Sequence, residues 1–272
     1  MRSIVGRFGR GLRLAWTALR VVAADPVILL VLVAGLVGMV AVSGGLYLAI
    51  FHRLPTGHDL TFPHDLIALP VLWFGTIATS YCAVVVAVMA DRRLSGETPR
   101  VADGIAVANA RFDRILTWTL LSIAVGLVLQ VIAEKLKLGG WLAARLLGLA
   151  WGVATTFVVP VLALEDVSVR GSIRRSATIF RARWGETVVA EGTVGVACFV
   201  GLVPVAAVTV AVAMASLVAA AVVGILLVGA LMLLMSALDA VVDVALYRYA
   251  VDGTTVGGFT AADLDGSFRP KH

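Results

Sequence analysis

Apolar positions along this chain gather into long unbroken runs. A helix needs about 20 mostly apolar residues to cross roughly 30 Å of hydrocarbon. Residues 27–50, 66–90, 115–133 and 146–164 meet that length without a charge. A longer run, Gly192 to Leu246, is interrupted only by Asp239 and Asp243. As one helix it would rise about 80 Å, too far for one crossing. It predicts two spans, 192–215 and 217–240, with a tight turn at Ser216, although no Pro or Asn marks the break. The pattern therefore predicts an all-α polytopic membrane protein with six transmembrane helices, in one membrane domain over 1–250 followed by a short cytoplasmic tail, 251–272.

Three basic segments between these runs carry a second pattern. Phe8, Leu12, Trp16 and Leu19 recur at helical spacing, as do Val101, Ile105, Ala108 and Phe112. Val169, Ile173, Ala177, Phe180 and Trp184 form a third stripe, with Arg170, Arg174 and Arg181 on another face. Basic amphipathic helices with aromatic apolar faces lie in the membrane interface. The second segment reads with Thr98 as N-cap and Pro99 at the first helical position. Asp25, Pro26 and Gly185 punctuate the others. The chain then reads as a threefold topological repeat over 1–90, 91–164 and 165–250, each unit an in-plane helix, a span out and a span back. The competing reading is three short basic loops that only obey the positive-inside rule.

Charge sets the orientation. Of 22 Lys and Arg residues, 18 fall in the N-terminal segment, the second-to-third and fourth-to-fifth connections and the tail. The other side holds Arg53, Lys135, Lys137 and Arg145. That bias places both termini in the cytoplasm. The uncharged first run of 24 residues exceeds the roughly 7–15 of a signal-peptide core, so it reads as a retained span. At 60% hydrophobic and 14% charged, the chain has too little polar surface for a soluble globule. Cys82 and Cys198 lie inside apolar runs, where thiols serve as small packing residues. The Arg-, Ala-, Val- and Gly-rich usage suggests a GC-rich bacterial genome, hence a bacterial inner membrane.

The stretch from Pro160 to Glu165, Ser172 to Ser176, Phe180, Trp184 and Gly185 is the most recognisable. With Trp151, Gly152, Leu246, Tyr247, Gly258 and Phe259, it resembles an uncharacterised bacterial family of six-span membrane proteins, a domain of unknown function. More distantly, Glu165 to Trp184 looks like part of the membrane domain of glycerophosphodiester phosphodiesterases, in which chemistry belongs to a separate soluble domain. The resemblance implies a fold and a membrane address, not an activity.

Asp239 and Asp243 share a helix face near the expected cytoplasmic boundary. They read either as structural partners of Arg174, Arg175 or Arg248, or as an ion or proton pathway. Glu165, Asp166 and Glu191 invite pairing with Arg174, Arg175 or Arg183. Arg10, Arg13, Arg111, Arg114, Arg170, Arg174, Arg181 and Trp184 are candidate contacts to anionic lipid. Ala144, Gly148, Gly152 and Thr156 recur every four residues, a ladder that lets helices approach closely, within one chain or between copies. Pro70, Pro160 and Pro204 are candidate kinks. His52, His58 and His64 share a loop with Asp59 and Asp65, but six-residue spacing fits no compact zinc site, and a solvated loop is expected.

No phosphate loop, dinucleotide motif, HExxH or G-x-S-x-G is present. The expectation is a non-enzymatic membrane scaffold or accessory factor, without cofactor or metal. Its partners would be anionic lipids and a membrane or cytoplasmic protein, not nucleic acid. The alternative is a small transporter or channel with Asp239 and Asp243 facing an internal cavity.

Overall fold

The computed structural model describes residues 16–53, 64–135, 137–214 and 216–259, which are helical with no strand among them. In chain order the helices are α1 (Trp16–Ala24), α2 (Val27–Arg53), α3 (His64–Leu94), α4 (Val101–Ala110), α5 (Phe112–Lys135), α6 (Lys137–Thr155), α7 (Val158–Leu164), α8 (Val169–Ala213) and α9 (Leu217–Asp252). Among the described residues four stretches are long and apolar enough to cross a membrane: Trp73–Leu94, Phe112–Lys135, Leu142–Leu164 and Leu226–Asp252. A fifth follows if α1 and α2 are one broken span. In α8 the described apolar stretch, Gly201–Ala213, is shorter than a crossing.

The turn before α9 falls at Ser216, where the sequence places it. Ser216 is extended (φ −159°, ψ 124°), and its hydroxyl accepts from the Ala219 N–H at 3.3 Å. An N-cap serine satisfies one of the four orphan amides that open a helix. The break at Asp25 and Pro26 is also present, between α1 and α2.

Other boundaries differ from expectation. Thr98 and Pro99 do not start α4. The α3 helix closes at Gly96 (φ +83°), with Gly96 N–H on Arg93 O and Glu97 N–H on Arg92 O. This paired ending needs a left-handed residue, which glycine supplies. Residues 97–100 then form a non-helical connection, and α4 begins at Val101. Nor does Gly185 end a separate third in-plane helix, since α8 is helical without interruption for 45 residues. One interior glycine costs only about 1 kcal/mol against alanine, too little to stop a helix. The backbone also stays helical through Pro70 and Pro204. Finally, α9 runs to Asp252 rather than ending at Ala240, so Asp239 and Asp243 lie within its body.

The chain divides into two compact units. One comprises Met1–Leu30, Met89–Arg100 and Thr178–His272, the other Val31–Val88 and Val101–Ala177. In the first, Ala237, Leu238, Val241, Val242, Val244 and Ala245 are buried almost all round α9. In the second, Val84 to Val88 are buried without alternation, and Gly104 of α4 lies against Val85. A β-carbon at Gly104 would stand 2.8 Å from Val85 Cγ1 and 2.9 Å from its carbonyl oxygen, so only glycine permits this approach. Elsewhere large apolar side chains face outward, among them Leu120, Val128, Leu146, Val210 and Leu226. So much exposed apolar surface suits lipid and not water.

Candidate functional site

Proline has no amide hydrogen, and its ring collides with the carbonyl four residues earlier. For Pro160 that carbonyl belongs to Thr156, and there the fourth predicted span breaks: α6 ends at Thr155 and α7 begins at Val158. Phe157 leaves the helical path (φ −92°, ψ 9°), and its N–H donates to Ser176 Oγ of α8 at 3.0 Å. Phe157 is 1% exposed and Ser176 0%. The Thr155 and Thr156 hydroxyls turn back to the carbonyls of Trp151 and Gly152 at 2.8 and 3.0 Å. Non-helical backbone at membrane depth is tolerated only where protein covers it, and here the cover is a buried serine.

The other end of α7 is held by cations, which favour the partial negative charge of a helix C-terminus. Arg111, between α4 and α5, donates from Nη1 to Leu162 O at 2.5 Å. Arg114 pairs with Asp166 at 2.5 Å, and Arg175 Nε donates to Glu165 Oε1 at 3.1 Å. Ser168 caps α8 by accepting from the Gly171 N–H at 3.2 Å. Ser172, 0% exposed, donates to Ser168 O. Beneath this corner Val158, Leu162 and Val169 pack together with Trp118 and Ile173, and Trp118 stacks on Trp151 at 6.0 Å.

The charges at the corner act on one another. The Arg114 hydrogen bond, and then its charge, hold the Asp166 carboxyl below the usual range. Burial, and then the Arg114 charge, lower the Arg111 guanidinium, with Asp166 acting the other way.

In the other unit Arg248 forks onto Asp91, with Nε to Oδ1 at 2.6 Å and Nη2 to Oδ2 at 2.8 Å. Its Nη1 reaches Asp252 at 3.2 Å. Two parallel charge-assisted bonds fix the planar fork in angle as well as distance. This pin ties the end of α3 to the end of α9.

The predicted site residues are thus dispersed. Arg175 meets Glu165, one of the pairings the sequence offers, while Arg248 engages Asp91 and Asp252. Asp239 is exposed and Asp243 half-buried, and both have interaction partners. Arg170, Arg174 and Arg181 are exposed on α8 as the stripe predicts. The opposite face is used differently: Val169, Ser172, Ser176, Ile179 and Phe180 are buried, with Val169 packed on protein. A β-carbon at Gly148 would stand 3.7 Å from Leu129 Cδ1 of α5, whereas one at exposed Gly152 would meet nothing within 4 Å, so the ladder with Ala144 and Thr156 is only partly closed within the chain. Arg10, Arg13 and His58 lie outside the described residues, as do the side chains of His52, His64 and Trp184. Among the described residues no three His, Cys, Asp or Glu side chains gather as a metal cage.

Two residues of this framework were not singled out as sites. Asp91 was hidden among Arg92 and Arg93 at the end of an apolar run. Ser176 had a usable signal: with Ser172 it forms an i, i+4 polar pair on a face otherwise apolar, downstream of a proline that must free backbone groups.

Neither a curated protein nor a solved structure matches the chain. A family model, described as a family of unknown function (DUF6159), matches residues 65–258. That match takes in the broken helix, the three arginines at its far end, the Asp91–Arg248 fork and Ser216, and it spans most of the chain: the protein belongs to the DUF6159 family.

Proposed function

We propose that the protein is a non-enzymatic scaffold or accessory factor of a bacterial cell membrane. In this reading six spans cross the bilayer, with both termini and the basic connections cytoplasmic. Three basic segments repeat the same topology, and anionic lipid headgroups and a protein partner are met on the cytoplasmic face. One observation carries the reading: three polar or charged side chains, each from outside the segment it meets, hold helix ends. Ser176 caps a broken helix, Arg111 caps its far end, and Arg248 forks onto Asp91. The exposed Arg170 and Arg181 are left to face the headgroups. Each such arginine contributes about 1 kcal/mol near an anionic leaflet.

Reconstitution tests this against the transporter alternative. Liposomes carrying the protein should show no proton or ion flux above empty vesicles. Replacing Arg170, Arg174 and Arg181 with Gln should weaken the preference for phosphatidylglycerol over phosphatidylcholine. A reproducible flux that disappears in Asp243→Asn would overturn the scaffold reading.

A further inference from the structure

Arg111 is held in place yet, among the described residues, hydrogen-bonds no anion of its own. A guanidinium offers five N–H donors. Among the described residues the one hydrogen bond it makes is from Nη1 to Leu162 O, a neutral acceptor. The nearby carboxylate, Asp166, is already bonded to Arg114. Two cations therefore share one anion, and one positive charge is left over in a half-buried position. Burial and the second arginine both work against the charged form of Arg111, which is the condition an incoming anion would relieve.

The apolar neighbours narrow the choice of anion. Phe112, the next residue, is 46% exposed, and Ile105, two helical turns earlier, is 40% exposed. Phe112 opens α5, a helix long and apolar enough to cross a membrane, and a crossing there would put Arg111 near the headgroup phosphates and Phe112 at the start of the acyl region. Free phosphate would neutralise Arg111 but leave both side chains uncovered. A phospholipid supplies the anion and the covering hydrocarbon in one molecule.

We propose that the α4–α5 corner binds one anionic phospholipid, its phosphate on Arg111 and its acyl chains against Phe112 and Ile105. The site rests on the membrane-scaffold reading but differs from the diffuse Arg170–Arg181 face. It is a single position in which the Leu162 carbonyl holds the guanidinium and leaves it donors to spare. Anchoring a lipid here would tie α5 and α7 to the membrane surface at a fixed depth.

Native mass spectrometry of the full chain, purified with phosphatidylglycerol and stripped stepwise by detergent, should show one lipid retained after the others leave. Arg111→Gln should lower that retention at least tenfold, and Ile105→Gln should weaken it less. Arg100→Gln removes an exposed cation elsewhere and should leave it unchanged. Loss of bulk lipid preference in the α8 arginine variants, with the single lipid kept, separates this site from the general reading. Should Arg111→Gln not fold, wild-type protein can be titrated by thermal shift with short-chain phosphatidylglycerol, glycerol phosphate and inorganic phosphate. The lipid should half-saturate at least tenfold below both soluble anions. Equal retention by Arg111→Gln, or equal potency of inorganic phosphate, would overturn the proposal.

Discussion

Ser176→Ala isolates one hydrogen bond at the break between α6 and α7. The wild-type hydroxyl accepts from Phe157 N–H at 3.0 Å, and both groups are buried. Alanine fills nearly the same space and removes the acceptor. Interhelical hydrogen bonds in membranes average about 0.6 kcal/mol and reach about 1.7, because the unfolded chain in the membrane also finds partners. A buried amide left without any partner costs about 1–3 kcal/mol. The variant does the second, so the expected loss is about 1–2 kcal/mol, close to tenfold in the folded-to-unfolded ratio. Ser172→Ala is the matched control. It is equally buried, but its hydroxyl only donates to Ser168 O, which already accepts the Ser172 N–H at 2.8 Å. Its loss should stay within about 0.5 kcal/mol. Pro160→Ala restores the missing amide and lets α6 run into α7, so Phe157 can find an acceptor within its own helix. In that background Ser176→Ala should cost little, a coupling of about 1 kcal/mol. Equilibrium unfolding in mixed micelles, followed by helix content, measures all four proteins. Equal losses for the two serine variants, or strict additivity with Pro160→Ala, would refute the argument.

Three further outcomes follow from other contacts. Arg248→Ala should cost about 1–3 kcal/mol, between an exposed and a buried pair, since the two side chains are 34% and 13% exposed. Arg248→Lys should recover only part of that in thermal unfolding, because an ammonium cannot fork. Gly104→Ala should destabilise by about 1–3 kcal/mol through overpacking. Val85→Ala should rescue it only in part by the same assay, since the Val85 carbonyl remains in the way. Asp166 has a depressed folded pKa, so its contribution is present above the unfolded value of about 3.9 and is lost as pH falls through the folded one. The stability difference between wild type and Asp166→Asn should therefore hold at neutral pH and shrink only below about pH 4 in a pH series.

What the sequence made legible follows from how local each signal is. The apolar runs and the Ser216 turn depend on hydrocarbon thickness and helix rise, and both can be counted along the chain. Pro160 and its effect on Thr156 are separated by four residues, and the Arg175–Glu165 pair by ten. The Arg248–Asp91 fork joins residues 157 apart, and no spacing rule announces it. The apolar stripe of α8 was visible, but periodicity does not distinguish a face packed on lipid from one packed on protein. Ser172 and Ser176 inside that stripe were the clue, since a hydroxyl is poorly placed against acyl chains and well placed against a freed amide. Gly185 failed as a helix stop because intrinsic propensity is a weak prior against a long helical context.

The broken helix is also the feature on which a transport reading would rest. In transporters discontinuous helices keep their ends available, so that amides and carbonyls of the unwound segment can meet a solute. A site of that kind needs groups left unsatisfied by protein. Two backbone groups of α7 and its N-cap are instead taken by protein: the Phe157 amide by Ser176, and the Leu162 carbonyl by Arg111. Both partners come from outside α6 and α7, so the break works as a joint that fastens α7 to α8 and to the α4–α5 connection. Pro160 then has a constructive role. By breaking the helix it orphans the Phe157 amide, the attachment point that Ser176 uses, and the cost of interrupting one helix is offset by a fixed link to another. A transporter would have to open that link in each cycle, whereas a scaffold gains from keeping it closed.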